Sequence, residues 1–450
     1  MTDSSVAGAG ASALYRAVWR WHFYAGLIVL PFMILIAITG GLYLFKDEIN
    51  NAFYGDLRIV EPQESAPLPA STLVASALAY SPGKVKTYRP PSASDRAAEV
   101  KIASDDSVSD TIYVNPYDGK ALGSVWDGGA AGSPAMWLVR KIHSLEYIGW
   151  WGNRIIEAVA GWALLLVVSG LYLWWPRGRG VGVFRPRRAK GRPFWRDLHA
   201  VTGAYAALFI GFLALTGLPW SGVWGAQFYD LSYKAGLGMP DGYWGSYPTS
   251  NVPTGAALDQ TPWILEHQPM PISGAAEGVP IGLDRIIELV EATGIHPGYA
   301  LDMPGGPEGV FTASVYPDDI TFERVIHFDQ YTGEKLFDMG LADLGALGRA
   351  AEWGISVHMG QEFGALNQAA MLFACVSIIL MAVSALVMWW KRRPAGGLGA
   401  PRPPADWRAP RAILVFAVVA GIVFPLVGLS LLVMLAIDLA LPLALRKRVA

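Results

Sequence analysis

Six apolar runs limit what this chain can become. They lie at about residues 23–45, 154–175, 200–220, 367–390, 411–427 and 429–445, and each is close to the roughly twenty residues a helix needs to cross the hydrocarbon core of a bilayer. A backbone in lipid must satisfy its own hydrogen bonds, so runs of this length read as transmembrane helices. With 16% charged residues among 450, the expected fold class is a polytopic α-helical membrane protein of about six transmembrane helices. Pro425 and Gly428 stand where the last two would meet in a tight hairpin. One long span through that region is the rival reading.

Basic residues in short loops are held on the cytoplasmic side during insertion. Eight of them fall between Arg177 and Arg196, Lys391, Arg392 and Arg393 follow the fourth run, and Arg446, Lys447 and Arg448 lie close to the end of the chain. Placing these inside with Arg16 and Arg20 puts both termini in the cytoplasm and exports two large loops, as in a bacterial inner-membrane protein. The expected division is 1–45, N-terminus and first span; 46–150, first exported module; 151–220, second and third spans with a basic loop; 221–365, second exported module; 366–393, fourth span; and 394–450, a linker and C-terminal hairpin. The first run follows a small, polar start and is too long for the core of a cleavable signal peptide, so it reads as a signal anchor. The single cysteine, Cys375, lies inside the fourth run. That excludes intrachain disulfides, a thiolate metal cluster and Cys-x-x-Cys-His haem attachment. Nothing in the chain resembles a nucleic-acid-binding signature.

The chain repeats itself. Trp19-Arg20-Trp21-His22, with Gly26 and Thr39-Gly40 following, opens the first run; Trp195-Arg196-Asp197-Leu198-His199, with Gly203 and Thr216-Gly217 at the same offsets from the histidine, opens the third. His143, Gly149, Ser169 and Trp174-Trp175 recur as His358, Gly364, Ser384 and Trp389-Trp390 with every spacing kept. The loops agree as well. Residues 112–120 alternate like a strand and enter a glycine-containing turn, and residues 326–334 do so again, 214 positions later. With a helix expected near Leu283–Thr293, both loops read as small α+β modules.

The topology places His22 and His199 at one depth, at the starting ends of their spans near the cytoplasm, and His143 and His358 at the exported face. Two neutral imidazoles from facing helices are a normal axial pair for low-spin haem iron. Two noncovalent b haems, one per pair, fit that pattern. Gly26 and Gly203, one turn beyond the inner histidines, leave room for a flat macrocycle, and Arg20 and Arg196 are candidate propionate contacts. Plainer readings stand beside these: interfacial histidines at headgroup level, glycines that pack helices, arginines that set topology, Thr-Gly pairs that are structural. Four histidines kept in register within a duplicated frame favour ligation, the inner pair more than the outer. The outer pair stands about ten residues before its apolar runs, where a surface helix folding onto the bundle is expected. His267, His296 and His327 read as structural or surface residues. Asp438, in the last run, is a costly place for a carboxylate and a flag for function, with no basic partner to suggest a proton relay.

The Trp-Arg-x-(x)-His opening, the His-to-Thr-Gly spacing and the Asn115-Pro116-Tyr117-Asp118-Gly119-Lys120 turn resemble the PepSY-associated transmembrane proteins, also described as iron-regulated membrane proteins, over about residues 12–393. The resemblance implies PepSY-like modules outside the membrane. In the ferric-siderophore reductase branch it implies two b haems, carried over here onto His22, His199, His143 and His358, that pass electrons to a ferric siderophore in the periplasm; another periplasmic metal chelate, such as a copper complex, is a further option for the acceptor. Some relatives carry a flavin reductase domain inside; this chain has short inside segments and no Gly-rich nucleotide fingerprint. A separate cytoplasmic flavoprotein or membrane quinol is therefore the expected donor. The expected function is a transmembrane ferric-chelate reductase, and the alternative is a non-enzymatic membrane-anchored module that binds a peptidase or envelope partner.

Overall fold

The computed structural model describes residues 3–105, 108–176, 184–187, 189–239, 248–274, 278–393 and 411–440. They form two compact units: residues up to 44, 141–228 and from 368 onward in one, and residues 45–140 and 229–367 in the other. Much of the basic loop, including Arg177 and Arg188, and the terminal Arg446–Arg448 lie outside the described residues, as does the side chain of Asp438.

Among the described residues, four helices of the membrane unit are long and apolar enough to cross a bilayer: Ala13–Tyr43, Trp150–Trp174, Gly191–Trp220 and Gly364–Trp390. The expectation of about six spans is therefore corrected. The last two runs form helices Arg411–Val423 and Pro425–Ala440, about 20 and 24 Å long at 1.5 Å per residue, against a core of about 30 Å. Pro425 lacks the N–H that would continue the helix. Gly421 and Gly428 then let the two helices touch: a Cβ on Gly428 would sit 2.8 Å from the Gly421 Cα. The hairpin packs on the second span, where Val427 fills the space over Gly161 and the Trp162 indole donates to Ser430 Oγ at 3.1 Å. Replacing Gly428 by leucine should force the helices apart and cost about 1–3 kcal/mol, as overpacking does. A lower melting temperature of detergent-purified protein checks it, with Leu429→Ala at the exposed neighbouring position as the control that should change little.

The apolar helices of the first and third spans begin at Ala13 and Gly191, so His22 and His199 lie about two to three turns inside them. A buried carboxylate in the second span, Glu157, has a local explanation: it accepts the backbone N–H groups of Val223 (2.7 Å) and Trp224 (3.1 Å), donors that the start of helix Trp224–Lys234 leaves without partners within the helix.

In the other unit, strands β1 (Lys84–Arg89), β2 (Ala98–Asp105), β3 (Val108–Val114) and β4 (Ala121–Trp126) form one antiparallel meander. A two-stranded sheet of β5 (Thr249–Pro253) and β6 (Pro269–Pro271) stands apart. Strands β7 (Ala300–Asp302), β8 (Val310–Val315), β9 (Arg324–Asp329) and β10 (Lys335–Gly340) form the second meander. The two modules expected from the sequence share one eight-stranded sheet, ordered β10-β9-β8-β7-β1-β2-β3-β4. Each meander would otherwise leave its first strand as an open edge, and β1 pairs with β7 to close both. Leu73 and Ala77 of helix Ala70–Tyr80 pack on Val100, Ile112 and Val114, while Ile286 and Val290 of helix Leu283–Glu291 pack on Leu301, Phe311 and Ile326. The duplicated turn is also present. Gly119 (φ 71°) and Gly333 (φ 70°) take the left-handed conformation that glycine tolerates, and each donates its N–H back four residues, to Asn115 O and Asp329 O.

Candidate cofactor site

His22 on the first span and His199 on the third meet inside the membrane unit, with ring centroids 6.3 Å apart and planes at 88°. Their hydrogen bonds fix which nitrogen carries the proton. His22 Nδ1 lies 2.9 Å from Ser169 Oγ on the second span. The Ser169 hydroxyl already donates to Leu165 O at 2.7 Å, so toward the histidine it can only accept. His199 Nδ1 faces Met381 O at 3.0 Å and Ser384 Oγ at 3.1 Å on the fourth span, and Ser384 donates to the same Met381 carbonyl at 2.9 Å. Both imidazoles therefore donate from Nδ1 and keep the lone pair on Nε2, the arrangement by which an acceptor behind the ring sets a ligating histidine.

Glycine makes this seating possible, at a position the repeat did not single out. A Cβ on Gly170 would lie 3.2 Å from His22 Cε1, so the second span receives the ring edge where it has no side chain. Gly26 and Gly203 line the surrounding cavity instead. That cavity has a volume of about 870 Å³, within the range of a cofactor pocket. Its walls are largely apolar, with Met33, Ala163, Ile378 and Met381 among them, and its mouth is basic. Arg20, over the Tyr24 ring at 5.7 Å, and Arg196, forked onto Asp197, are both in the lining.

The donor set can be tested against a haem on this geometry. Two imidazoles ligating one metal from opposite sides stand about 6 Å apart centre to centre, given a metal–nitrogen bond of about 2 Å and roughly 1 Å from nitrogen to ring centre. The observed 6.3 Å, the Nδ1-protonated tautomers and the cavity size all fit. Among the described residues there is no group of three or more His, Cys, Asp or Glu that could hold a bare metal ion; a haem iron takes its remaining ligands from the porphyrin and asks the protein for axial ones alone.

The outer histidines belong to different units. His143 ends helix Pro134–His143, and its Nδ1 lies 2.9 Å from Thr39 Oγ1 on the first span. Thr39 donates to Leu35 O at 2.7 Å, so this histidine too donates from Nδ1 and keeps its lone pair on Nε2. Gly40 seats the ring as Gly170 seats His22, with a Cβ position 3.3 Å from His143 Cε1. His22 and His143 thus lean on residues of one helix pair, and Thr39 stands seventeen residues beyond His22, about 25 Å along the axis. Thr216 repeats the Thr39 arrangement within its own helix, donating to Phe212 O at 2.8 Å. His358 ends helix Ala346–His358 of the other unit, where the Asn367 side chain donates to the preceding carbonyl of Val357 at 2.8 Å. The pairs Ser169-Gly170 and Thr39-Gly40 are what sequence reasoning undervalued. Each supplies an acceptor for Nδ1–H and a gap for the ring; the hydroxyl recurs at a kept offset in both, but the following glycine is kept only in Thr39-Gly40 and Thr216-Gly217, alanine standing at Ser384-Ala385.

The remaining histidines lie in other surroundings. His267 packs edge-on against Tyr229, and His296 bonds its neighbour Pro297 O and leans on Phe322. His327 is fully buried, with Nδ1 2.8 Å from Thr312 Oγ1, and burial pushes its pKa down to about 3.

No curated protein sequence matches the chain. The family model for the PepSY-associated TM region matches residues 19–392, a stretch that begins beside His22 and ends just past the fourth span. The chain belongs to the PepSY-associated transmembrane family.

Proposed function

We propose that this membrane protein binds b-type haem noncovalently through His22 and His199, with His143 and His358 as the second pair that the repeat suggests, and that it carries electrons to an exported acceptor of the ferric-chelate class. The observation that carries the reading is the inner pair: two imidazoles from the first and third spans, each held at Nδ1 by an acceptor, with ring centroids 6.3 Å apart, close to the spacing of two rings that share one iron. When bound, haem would supply one-electron chemistry that side chains lack. The chain's own residues do the rest. Ser169, Ser384 and the Met381 carbonyl hold the Nδ1 protons and raise the basicity of the opposite nitrogen. Apolar walls exclude water, and Arg20 with Arg196 offers charge to propionates. The distribution of lysine and arginine supports a cytoplasmic position for the basic side, where a separate flavoprotein or membrane quinol would be the donor.

A second reading keeps the family and drops the cofactor: an anchored pair of modules that binds an envelope partner. The continuous eight-stranded sheet favours it, because fusing two modules into one body makes a broad rigid surface whatever the spans hold. The two readings separate on one measurement, a reduced-minus-oxidised visible spectrum with pyridine haemochrome quantification of protein purified from haem-replete cells. A low-spin b-type spectrum with close to two haems per chain is expected. Colourless protein would leave the partner-binding reading in its place.

A further inference from the structure

The cavity that contains His22 and His199 ends in a ring of cations. Arg16 and Arg20 come from the first span, Arg187, Arg192 and Arg196 from the basic connector and the start of the third, and Arg392 and Arg393 follow the fourth. Against these seven guanidinium groups, the described lining contains one carboxylate, Asp197. Asp197 is 4% exposed and works as an organiser. Its Oδ2 accepts the Arg187 backbone N–H at 3.1 Å, and its Oδ1 takes Nε and Nη2 of Arg196 at 3.0 and 2.6 Å. One carboxylate thus ties the connector to the third span and brings Arg187 to the cavity mouth, yet leaves a large excess of positive charge there. Burial and the nearby Arg192 push Arg392 below its ordinary pKa, and Arg392 also lies over the Trp19 ring at 4.5 Å.

Topology explains basic residues in a connector. It does not ask that arginines from three segments converge on one cavity, close enough for two of them to repel. Assigning Arg20 and Arg196 to two propionates still leaves five arginines at the mouth. A guanidinium fork matches the geometry of phosphate oxygens and binds them in a bidentate way, and a cleft of one sign with low-dielectric walls concentrates the opposite ion.

We propose that this mouth, centred on Arg187, Arg192 and Arg392, is a binding site for a phosphate-bearing anion, the chemistry shared by an anionic phospholipid headgroup and a soluble phosphorylated ligand. It rests on the haem reading only in reserving Arg20 and Arg196 for another task. Asp197 is its positioning residue, and Trp19, Trp174 and Trp389 are the aromatic part of the lining, with Trp19 holding Arg392 in place across its ring.

Two arms test the site on full-length protein. In phosphatidylcholine nanodiscs, flavin mononucleotide and riboflavin are titrated by flavin fluorescence. In detergent with equal phosphatidylglycerol and phosphatidylcholine, retained lipid is counted by native mass spectrometry. Binding of the mononucleotide at least tenfold tighter than riboflavin assigns the soluble source; retention of phosphatidylglycerol over phosphatidylcholine assigns the lipid. In either case Arg192→Gln with Arg392→Gln should reduce the preference at least tenfold, and the double lysine variant, which keeps charge but loses the fork, should fall between. If the glutamine pair fails to fold, the lysine pair alone carries the comparison. No preference in either arm, or a preference unchanged in the variants, overturns the proposal. Haem content is read on the same samples, so loss of the anion site and loss of the haem reading are separate results.

Discussion

Protein carrying His22→Ala is expected to lose the haem of the inner site, leaving about half the pyridine haemochrome signal of the parent, while His143→Ala leaves the inner site's signal in place. The cause is specific to the geometry. His22 and His199 have ring centroids 6.3 Å apart, and among the described residues no other histidine lines the cavity they share. Two further variants distinguish ligation from a merely structural histidine. Ser169→Ala keeps the imidazole but removes the acceptor that orients it, which should weaken haem retention about 10–100-fold and shift the reduction potential. Gly170→Leu places side-chain atoms where His22 Cε1 now lies 3.2 Å from an ideal Cβ, and should displace the ring and match His22→Ala. Haem content unaffected by His22→Ala and Gly170→Leu in folded protein would sink the assignment of this pair.

Glu352→Gln is expected to raise thermal stability at pH 8 and leave it unchanged near pH 4. Glu352 is 7% exposed on helix Ala346–His358, and burial raises its pKa to about 7 against an ordinary 4.5, despite the N–H it accepts from Trp263; nearby Glu266 raises it further. Burial and Glu352 likewise hold Glu323 well above its usual range. A carboxyl that binds its proton more tightly when folded contributes nothing below the unfolded pKa and costs stability as pH rises toward and through the folded one. The window here is about pH 4.5 to 7, and about 1.36 kcal/mol for each tenfold change in proton affinity gives a penalty of about 2–3 kcal/mol at its upper end. Glutamine keeps the acceptor oxygen and removes the charge. His327 works in the opposite direction. With its folded pKa near 3 and an ordinary value of 6.5, it costs stability as pH falls below 6.5. Melting curves followed by tryptophan fluorescence from pH 4 to 8 should therefore show a maximum in the parent and a shallower fall toward high pH in Glu352→Gln, where the buried Glu323 still titrates. Identical pH profiles would mean that Glu352 is not the group that titrates.

Much of the membrane unit was legible because lipid leaves few choices. A run such as 367–390 has nowhere else to go, and the repeat's fixed offsets put His22 and His199 at matching positions on parallel spans. The end of the chain misled for the same reason. Residues 411–445 are apolar enough for two spans, but hydropathy does not register that Pro425 stops one helix and that Gly421 and Gly428 let it fold back before either arm reaches the bilayer's full thickness. The exported unit misled differently. Alternation along β1 and β7 describes each strand's faces and says nothing about partners, so the pairing of Tyr88 with Leu301 was invisible.

The sequence by itself determined that the chain enters a membrane, that it is built from two copies of one plan, and that four histidines belong to that plan. These follow from local quantities: run length, composition and spacing. Tertiary structure decided the chemistry of the site. Ser169 and Thr39 become acceptors, and Gly170 and Gly40 become gaps, only where another helix presents an imidazole to them. A proton's place on a ring, like the charge at the mouth organised by Asp197, is set by neighbours more than a hundred residues away or on the far side of a loop, and no spacing along the chain encodes a distance across it.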